Sequence, residues 1–184
     1  MDIKPLRQYG EHEVVNLYSF GGTISTAAGS KVQKGTIVKV QGDGWQNTDE
    51  PVDMIGHVGA SYHGTVSQRY GVNATVTLCA SGETPLGLML NDVAEVDENG
   101  ELLKFNPRKA AQMNAVVSGQ AVPILTRGII LYKGVLTDGA VAGNVAVYAD
   151  NSGELTTTAA TRVKVGKTLG AKDTDGYVLI KIEL

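Results

Sequence analysis

The feature that most constrains the fold is an apolar, β-branched run at residues 121–135, where the last third of the chain begins. Arg127 and Gly128 divide this run into two halves. Such a division is typical of strands that are buried on both faces, or of one long strand that bends at a glycine. The run therefore predicts a core β-strand.

Three further strand candidates follow, at residues 143–155, 162–169 and 175–184, and glycine, asparagine or aspartate bounds each of them. The last third of the chain is therefore predicted to form a compact antiparallel β-module. Glycine is abundant, with 23 residues, whereas aromatic residues make up only 5% of the chain. This balance favours short strands and tight turns over helices, so we expect an all-β fold.

The first two-thirds of the chain is also predicted to be β-rich. Strand candidates lie at residues 34–40, 52–60, 73–80 and 86–90, and Asn99 with Gly100 gives the strongest short-range hairpin signal. One helix start stands out, because Asn106 is a good N-cap and Pro107 suits the first helical position. We expect a single helix of about ten residues, over 107–116.

Residues 1–30 show no sustained period, and only residues 14–20 alternate well enough for a strand. We therefore expect an extended N-terminal arm (1–30), a first β-module (31–106), and a short helix with a C-terminal β-barrel-like module (107–184). The architecture is that of small antiparallel β-barrel or β-sandwich modules.

Three aromatic residues of the predicted arm, Tyr9, Tyr18 and Phe20, are candidate assembly contacts. Each packs either on its own chain, which is the favoured alternative, or on a neighbouring subunit. A segment that becomes ordered only in an assembly matters more for binding than for folding. Deletion of residues 2–20 is then expected to leave the melting temperature nearly unchanged.

Charge, cysteine content and the lack of long apolar runs argue against several classes of partner and location. Sixteen basic against nineteen acidic residues give a formal net charge of −3, which has the wrong sign for a nucleic-acid partner. The single Cys79 excludes an intrachain disulfide and is expected to be a buried free thiol. No signal-peptide pattern and no apolar run of about eighteen residues occurs, so we expect neither export by that route nor a membrane partner.

Motifs for cofactors are incomplete. Val165-Gly-Lys-Thr resembles the end of a phosphate loop, but the required upstream glycine is replaced by Thr161. The three histidines, His12, His57 and His63, lack the tight spacings of a zinc site. We therefore expect no cofactor and no metal.

Two short Gly-Thr strings, at Thr23 and Thr65, resemble fragments of the threonine motifs of asparaginase-type amidohydrolases. In that family the second motif carries an aspartate directly after its threonine, where this chain has Val66. An amidohydrolase that uses Thr23 and Thr65 is a minor alternative.

An internal echo joins Asp97-Glu-Asn-Gly-Glu-Leu to Asp150-Asn-Ser-Gly-Glu-Leu. Similar strand patterns accompany both, at residues 34–40 and 142–148. An internal duplication is therefore left open.

The C-terminal pattern also resembles a known family. A strand with Arg127-Gly-Ile-Ile precedes a Gly143-Asn-Val-Ala-Val strand, a turn, a Val165-Gly-Lys-Thr-Leu strand and a final strand. This arrangement is similar to the small β-barrel module of tailed-bacteriophage capsid decoration (cement, head-stabilising) proteins, and the resemblance covers residues 121–184 and extends to residues 34–90.

The resemblance implies a structural, non-enzymatic virion protein. Its copies would lie on the outer surface of an icosahedral capsid, as trimers, and would bridge neighbouring copies of the major capsid protein after synthesis in the host cytoplasm. The alternative of the same broad kind is another β-rich virion or tail module that binds a host-surface glycan.

Overall fold

A computed structural model describes residues 1–6, 8–45, 74–134, 136 and 139–184. Its strands are β1 (Asp2–Pro5), β2 (Val14–Val15), β3 (Ser19–Phe20), β4 (Ile37–Val40), β5 (Thr75–Leu78), β6 (Gly87–Met89), β7 (Asp92–Ala94), β8 (Ala115–Val117), β9 (Ile124–Leu125), β10 (Arg127–Lys133), β11 (Ala146–Ala149), β12 (Leu155–Thr156), β13 (Lys164–Thr168) and β14 (Val178–Glu183). A 3₁₀ turn (Leu103–Phe105) leads into the helix α1 (Pro107–Gln112). The predicted all-β fold with one short helix is confirmed.

The apolar run at residues 121–135 supplies strands to two different sheets. Strand β10 lies in a six-stranded antiparallel sheet with the order β1-β10-β14-β13-β11-β12, here called the C-terminal sheet. Strand β9 lies in a second six-stranded sheet with the order β2-β9-β6-β4-β5-β3, here called the N-terminal sheet. Only Thr126 separates the two strands, and its N–H donates to Glu13 O over 2.9 Å.

A third, smaller layer consists of the parallel pair β7 and β8 together with α1, and is here called the small lobe. The pairing of β3 with β5 is also parallel. These two parallel pairs are exceptions to the predicted antiparallel arrangement.

Two clusters of buried side chains hold the layers together. The main core lies between the two large sheets, since it joins Ile37 and Leu88 of the N-terminal sheet to Ile130 and Ile180 of the C-terminal sheet. A second cluster covers the other face of the N-terminal sheet and reaches Val93 in the small lobe. The N-terminal sheet is therefore buried on both faces, which explains its continuous apolar strands.

The predicted N-terminal arm is built into the body of its own chain. Strand β1 pairs with β10, and β2 and β3 form the two edges of the N-terminal sheet. The single strand predicted at residues 14–20 is therefore wrong. Its ends instead form two strands that lie on opposite sides of one sheet.

The helix begins as predicted and ends early. Asn106 caps it, since its Oδ1 accepts a hydrogen bond from Lys109 N–H. It has six residues instead of about ten, because Asn114 takes a positive φ of 50° and the next residues pair with β7 as strand β8. The strand predicted at residues 52–60 lies outside the described residues.

The internal echo corresponds to one turn geometry used three times. At Asp97, Asp150 and Asp173, Oδ1 accepts N–H groups two and four residues ahead, and the glycine three ahead donates to the aspartate carbonyl. Each of these glycines has a positive φ. The third copy, at 173–177, has no counterpart in the echo that the sequence shows. A shared hairpin turn accounts for the Asp-x-x-Gly part of the echo, and an internal duplication stays a hypothesis.

Candidate functional site

The three aromatic residues proposed as assembly contacts all lie against their own chain. Tyr9 is half-buried, and its hydroxyl donates to Ile129 O over 2.9 Å. Tyr18 is half-buried against the second cluster, and Phe20 lies inside that cluster with 5% of its surface exposed. Phe20 therefore has almost no surface to offer a neighbour, whereas contacts by Tyr9 and Tyr18 stay a prediction.

A different aromatic residue is presented to solvent. Phe105 is 78% exposed, the largest value among the large hydrophobic side chains of the described residues, and Leu102, whose carbonyl accepts a hydrogen bond from Phe105 N–H, is 41% exposed. These two side chains are here called the Phe105 knob. Lys104 lies with its Nζ 5.1 Å from the centre of the Phe105 ring, so the knob is apolar with a cationic flank.

The backbone under the knob is held on both sides. Leu102 forms an isolated bridge with Val96, and Leu103, which is 1% exposed, fills the core of the small lobe. Leu103 N–H donates to Glu95 O, and the capped helix follows directly. The local fold therefore buries one leucine and thereby turns the phenylalanine outward.

A second surface is the outer face of the C-terminal sheet. Residues alternate along β10 and β14, with one set buried in the main core and the other directed outward. We call the outward set the lysine face. Its basic residues are Lys4, Arg127, Lys133, Lys164, Lys167 and Lys181, its carboxylates are Asp2 and Glu183, and its apolar centre is Ile129, Leu131 and Leu179.

The charge of this face differs in sign from the charge of the chain. Six basic against two acidic side chains give a formal charge of +4, whereas the whole chain carries −3. The residues outside the lysine face therefore carry a formal charge of −7 in total. The fold has concentrated positive charge on one sheet face of an acidic protein.

Two lysines of the face stand directly opposite each other. Lys167 and Lys181 are cross-strand partners on β13 and β14, an arrangement that is unfavourable for like charges. Lys181 forms an ion pair with Glu183 at 3.0 Å. This contact, with smaller contributions from Arg127 and Lys167, lowers the pKa of Glu183.

At one end of the face, Tyr177 is surrounded by charged groups. Lys4 Nζ lies 4.0 Å and Lys133 Nζ 5.5 Å from the centre of its ring. Its hydroxyl donates to Asp2 Oδ2 over 2.6 Å, and this hydrogen bond, with the help of Lys34, lowers the pKa of Asp2. These contacts hold β1 against the C-terminal sheet. Asp2 and Tyr177 also line an open groove of about 720 Å³.

The residues considered for phosphate, thiol or metal chemistry have structural roles or lie outside the described residues. Gly166 lies in the middle of β13, where a Cβ would stand 2.1 Å from Lys181 O, so the glycine serves close strand pairing. Cys79 is buried. Within the described residues no group of His, Cys, Asp or Glu side chains is placed to hold a metal ion. His57, His63 and Thr65 lie outside those residues.

Thr23, the other half of the amidohydrolase pair, is exposed and forms no side-chain hydrogen bond with any described residue. A threonine nucleophile needs a positioned base within hydrogen-bond reach. The part of the chain that the structure describes offers Thr23 no such group.

Sequence reasoning missed both surfaces. The lysine face had a usable signal, because residues 127, 129, 131 and 133 fall on one parity of a strand with a cation at each end. The Phe105 knob had none, since its exposure depends on which neighbour, Leu103, fills the small lobe.

Comparisons of the chain with protein-family models, with curated proteins and with solved structures gave no match. No helix in the described ranges is long and apolar enough to cross a membrane.

Proposed function

We propose that this chain is a structural virion protein that binds the outer surface of an icosahedral phage capsid and bridges major capsid subunits. The observation that carries the proposal is the Phe105 knob. A ring that is 78% exposed on a fixed backbone is an interface anchor that loses little conformational freedom when it binds. The C-terminal pattern of capsid decoration proteins supplies the kind of partner.

Shell stabilisation of this kind needs no catalytic group. Modest contacts that icosahedral symmetry repeats on every subunit stabilise the assembled state, because each contact is made only in the shell. In this proposal the copies associate as trimers on the capsid surface after synthesis in the host cytoplasm.

The test is co-sedimentation of the purified chain with capsid shells that lack it. Wild type is expected to saturate at a fixed ratio to the major capsid protein. Phe105→Ala should raise the Kd about 30-fold, the effect of losing an anchor worth about 2 kcal/mol. Leu78→Ala is the matched control, because Leu78 is also a partly exposed apolar residue (39%) but lies away from the knob, on β5.

Two results would count against the proposal. If wild type does not bind shells, the proposed function is wrong. If wild type and Phe105→Ala bind shells equally well, the Phe105 knob is not a binding anchor. Melting temperatures of all three proteins should be recorded beside the binding curves, so that a folding defect is recognised as such.

A second candidate is a virion or tail module that binds a host-surface glycan, and Trp45 is the residue that favours it. Its indole is 56% exposed and offers an apolar face with a polar N–H edge. Retention on immobilised host glycans that Trp45→Ala abolishes, without shell binding, would replace the first proposal with this one. Amidase activity lost in Thr23→Ala would instead favour the enzyme.

A further inference from the structure

We infer that the lysine face is a second docking surface, and that its partner is an acidic patch on the shell protein. This inference rests on the proposed function, since it names the chemistry of a contact with the same shell. A protein that bridges subunits needs at least two adhesive surfaces. The Phe105 knob lies in the small lobe, and the lysine face lies on the C-terminal sheet.

The charge of the lysine face favours an acidic partner. The face carries +4 in a chain whose remaining residues sum to −7, so its charge is a local concentration and not a property of the whole surface. Local concentrations of one sign steer and orient a partner of the opposite sign.

The cross-strand pair Lys167 and Lys181 also favours an acidic partner. Like charges directly opposite each other on neighbouring strands destabilise a sheet, and Lys167 has no ion pair with any described residue. Glu183 offsets part of this positive charge through its ion pair with Lys181, and a carboxylate from a partner would offset more of it. The folded chain alone neutralises the positive charge of this pair only in part, whereas a complex with an acidic partner neutralises it further.

The apolar centre of the lysine face favours an acidic protein over a nucleic acid as the partner. The centre of the face is apolar, with Leu131 and Leu179 directly opposite each other and Ile129 beside Lys181. An apolar centre with a charged rim is the anatomy of a protein interface. A duplex, with one negative charge per about 1.7 Å, would be repelled by the acidic remainder of the chain.

The variant that tests the inference is Lys167→Glu. It replaces the repulsion across β13 and β14 with attraction to Lys181, so the fold should melt at the same or a higher temperature. Any loss of binding is then a loss of recognition. Arg108→Glu is the matched control, because it makes the same change in net charge at an exposed position of α1.

Two probes are used, namely shells that lack the protein and immobilised poly-L-glutamate. With both, Lys167→Glu should bind at least about tenfold more weakly than wild type, whereas Arg108→Glu should retain binding to poly-L-glutamate. Wild-type binding should also weaken as salt rises from about 0.05 to about 0.5 M, because the contact is between exposed charges.

Each outcome separates the two proposals. If wild type and Lys167→Glu bind shells equally, the docking role of the lysine face is overturned and the proposed function stands. If wild type does not bind shells, the proposed function fails. The comparison of wild type with Lys167→Glu on poly-L-glutamate then shows whether the lysine face still binds an acidic chain. Tighter binding of wild type to a DNA duplex than to poly-L-glutamate, lost in Lys167→Glu, would overturn the acidic-protein partner in favour of nucleic acid.

Discussion

The two six-stranded sheets contain the same number of strands but are assembled in different ways. In the C-terminal sheet every pairing is antiparallel, and β10 and β14 pair over six positions. In the N-terminal sheet three of the six strands have two residues each, and the parallel pair β3 and β5 joins residues 19–20 to residues 75–76. The first sheet depends on local alternation and turns, and the second on long-range contacts with both of its faces buried.

The largest effect is expected from deletion of residues 2–20. This deletion removes one edge of the C-terminal sheet and both edges of the N-terminal sheet, together with the buried side chains of Ile3 and Phe20. Burial of two such side chains is worth about 3–6 kcal/mol, which is a large part of the stability of a small domain. We expect no cooperative thermal transition by circular dichroism, the reverse of what the sequence alone indicated.

Deletion of residues 2–5 alone is the control for this experiment. It removes β1 and Ile3 but leaves the N-terminal sheet complete, so a cooperative transition at a lower temperature should remain. If the 2–20 deletion melts within a few degrees of the full chain, the short strands of the N-terminal sheet do not support it, and the contrast between the sheets is lost.

The next effect concerns the joint between the sheets. Gly153, in the turn before β12, accepts a hydrogen bond from Ile37 N–H of β4 at 2.7 Å, and a Cβ at this glycine would lie 2.6 Å from Ile37 O. Gly100 occupies the same position of the same turn, but its nearest neighbour would be Ala28 Cβ at 3.8 Å. Both have a positive φ, of 71° and 84°.

Gly100→Ala should therefore lose only about 1–2 kcal/mol of unfolding free energy, the cost of placing a residue with a Cβ at a positive φ. Gly153→Ala should lose the same amount plus about 1–3 kcal/mol for the overlap with β4. Urea unfolding of the two variants measures the difference. Equal losses would mean that the turn does not join the sheets.

Features that depend on neighbours in sequence were predictable. The Asn106 cap, the Asn99–Gly100 hairpin and the strand character of residues 127–133 follow from local hydrogen bonding and from alternation. The early end of the helix was not predictable in this way, because Ala115–Val117 leave it to pair with β7, an interaction that no local propensity reports.

Features that depend on distant partners were missed for the same reason. The sequence predicted either buried strands divided at Arg127 and Gly128 or one long strand bent there. The chain instead changes sheets one residue earlier, at Thr126, whose N–H donates to Glu13 O. The candidate site follows this rule as well. The positions on the lysine face follow from strand parity, whereas Phe105 is outward only because Leu103 occupies the small core.

A smaller effect is expected where β1 is fastened to the C-terminal sheet. The hydrogen bond from Tyr177 lowers the pKa of Asp2 below its ordinary value of 3.8, so its contribution is present above that pH and is lost as pH falls towards the lowered pKa. The Asp2 side chain is 39% exposed, which limits the effect to under about 1 kcal/mol.

Tyr177→Phe keeps the ring for Lys4 and Lys133 but removes the hydroxyl, so its unfolding free energy should change less with pH below about 4 than that of wild type. Tyr148→Phe is the control on the same sheet, since its hydroxyl has no hydrogen bond to a described residue. If Tyr177→Phe and wild type lose stability in parallel on acidification, Asp2 is not fastened by Tyr177.

The smallest effect has the opposite sign and lies within the C-terminal sheet. Lys167→Glu exchanges a repulsive cross-strand pair with Lys181 for an attractive one, which is worth about 0.2–1 kcal/mol in favour of the folded state. The gain should shrink at high salt, because both side chains are partly exposed.

Lys164→Glu is the matched control, since Lys164 is paired with Tyr148 and its replacement relieves no repulsion. Urea unfolding at low and high salt measures both variants. A loss of stability in Lys167→Glu would mean that the pairing of β13 with β14 already accommodates its two lysines, and the C-terminal sheet would then carry no charge repulsion for a partner to relieve.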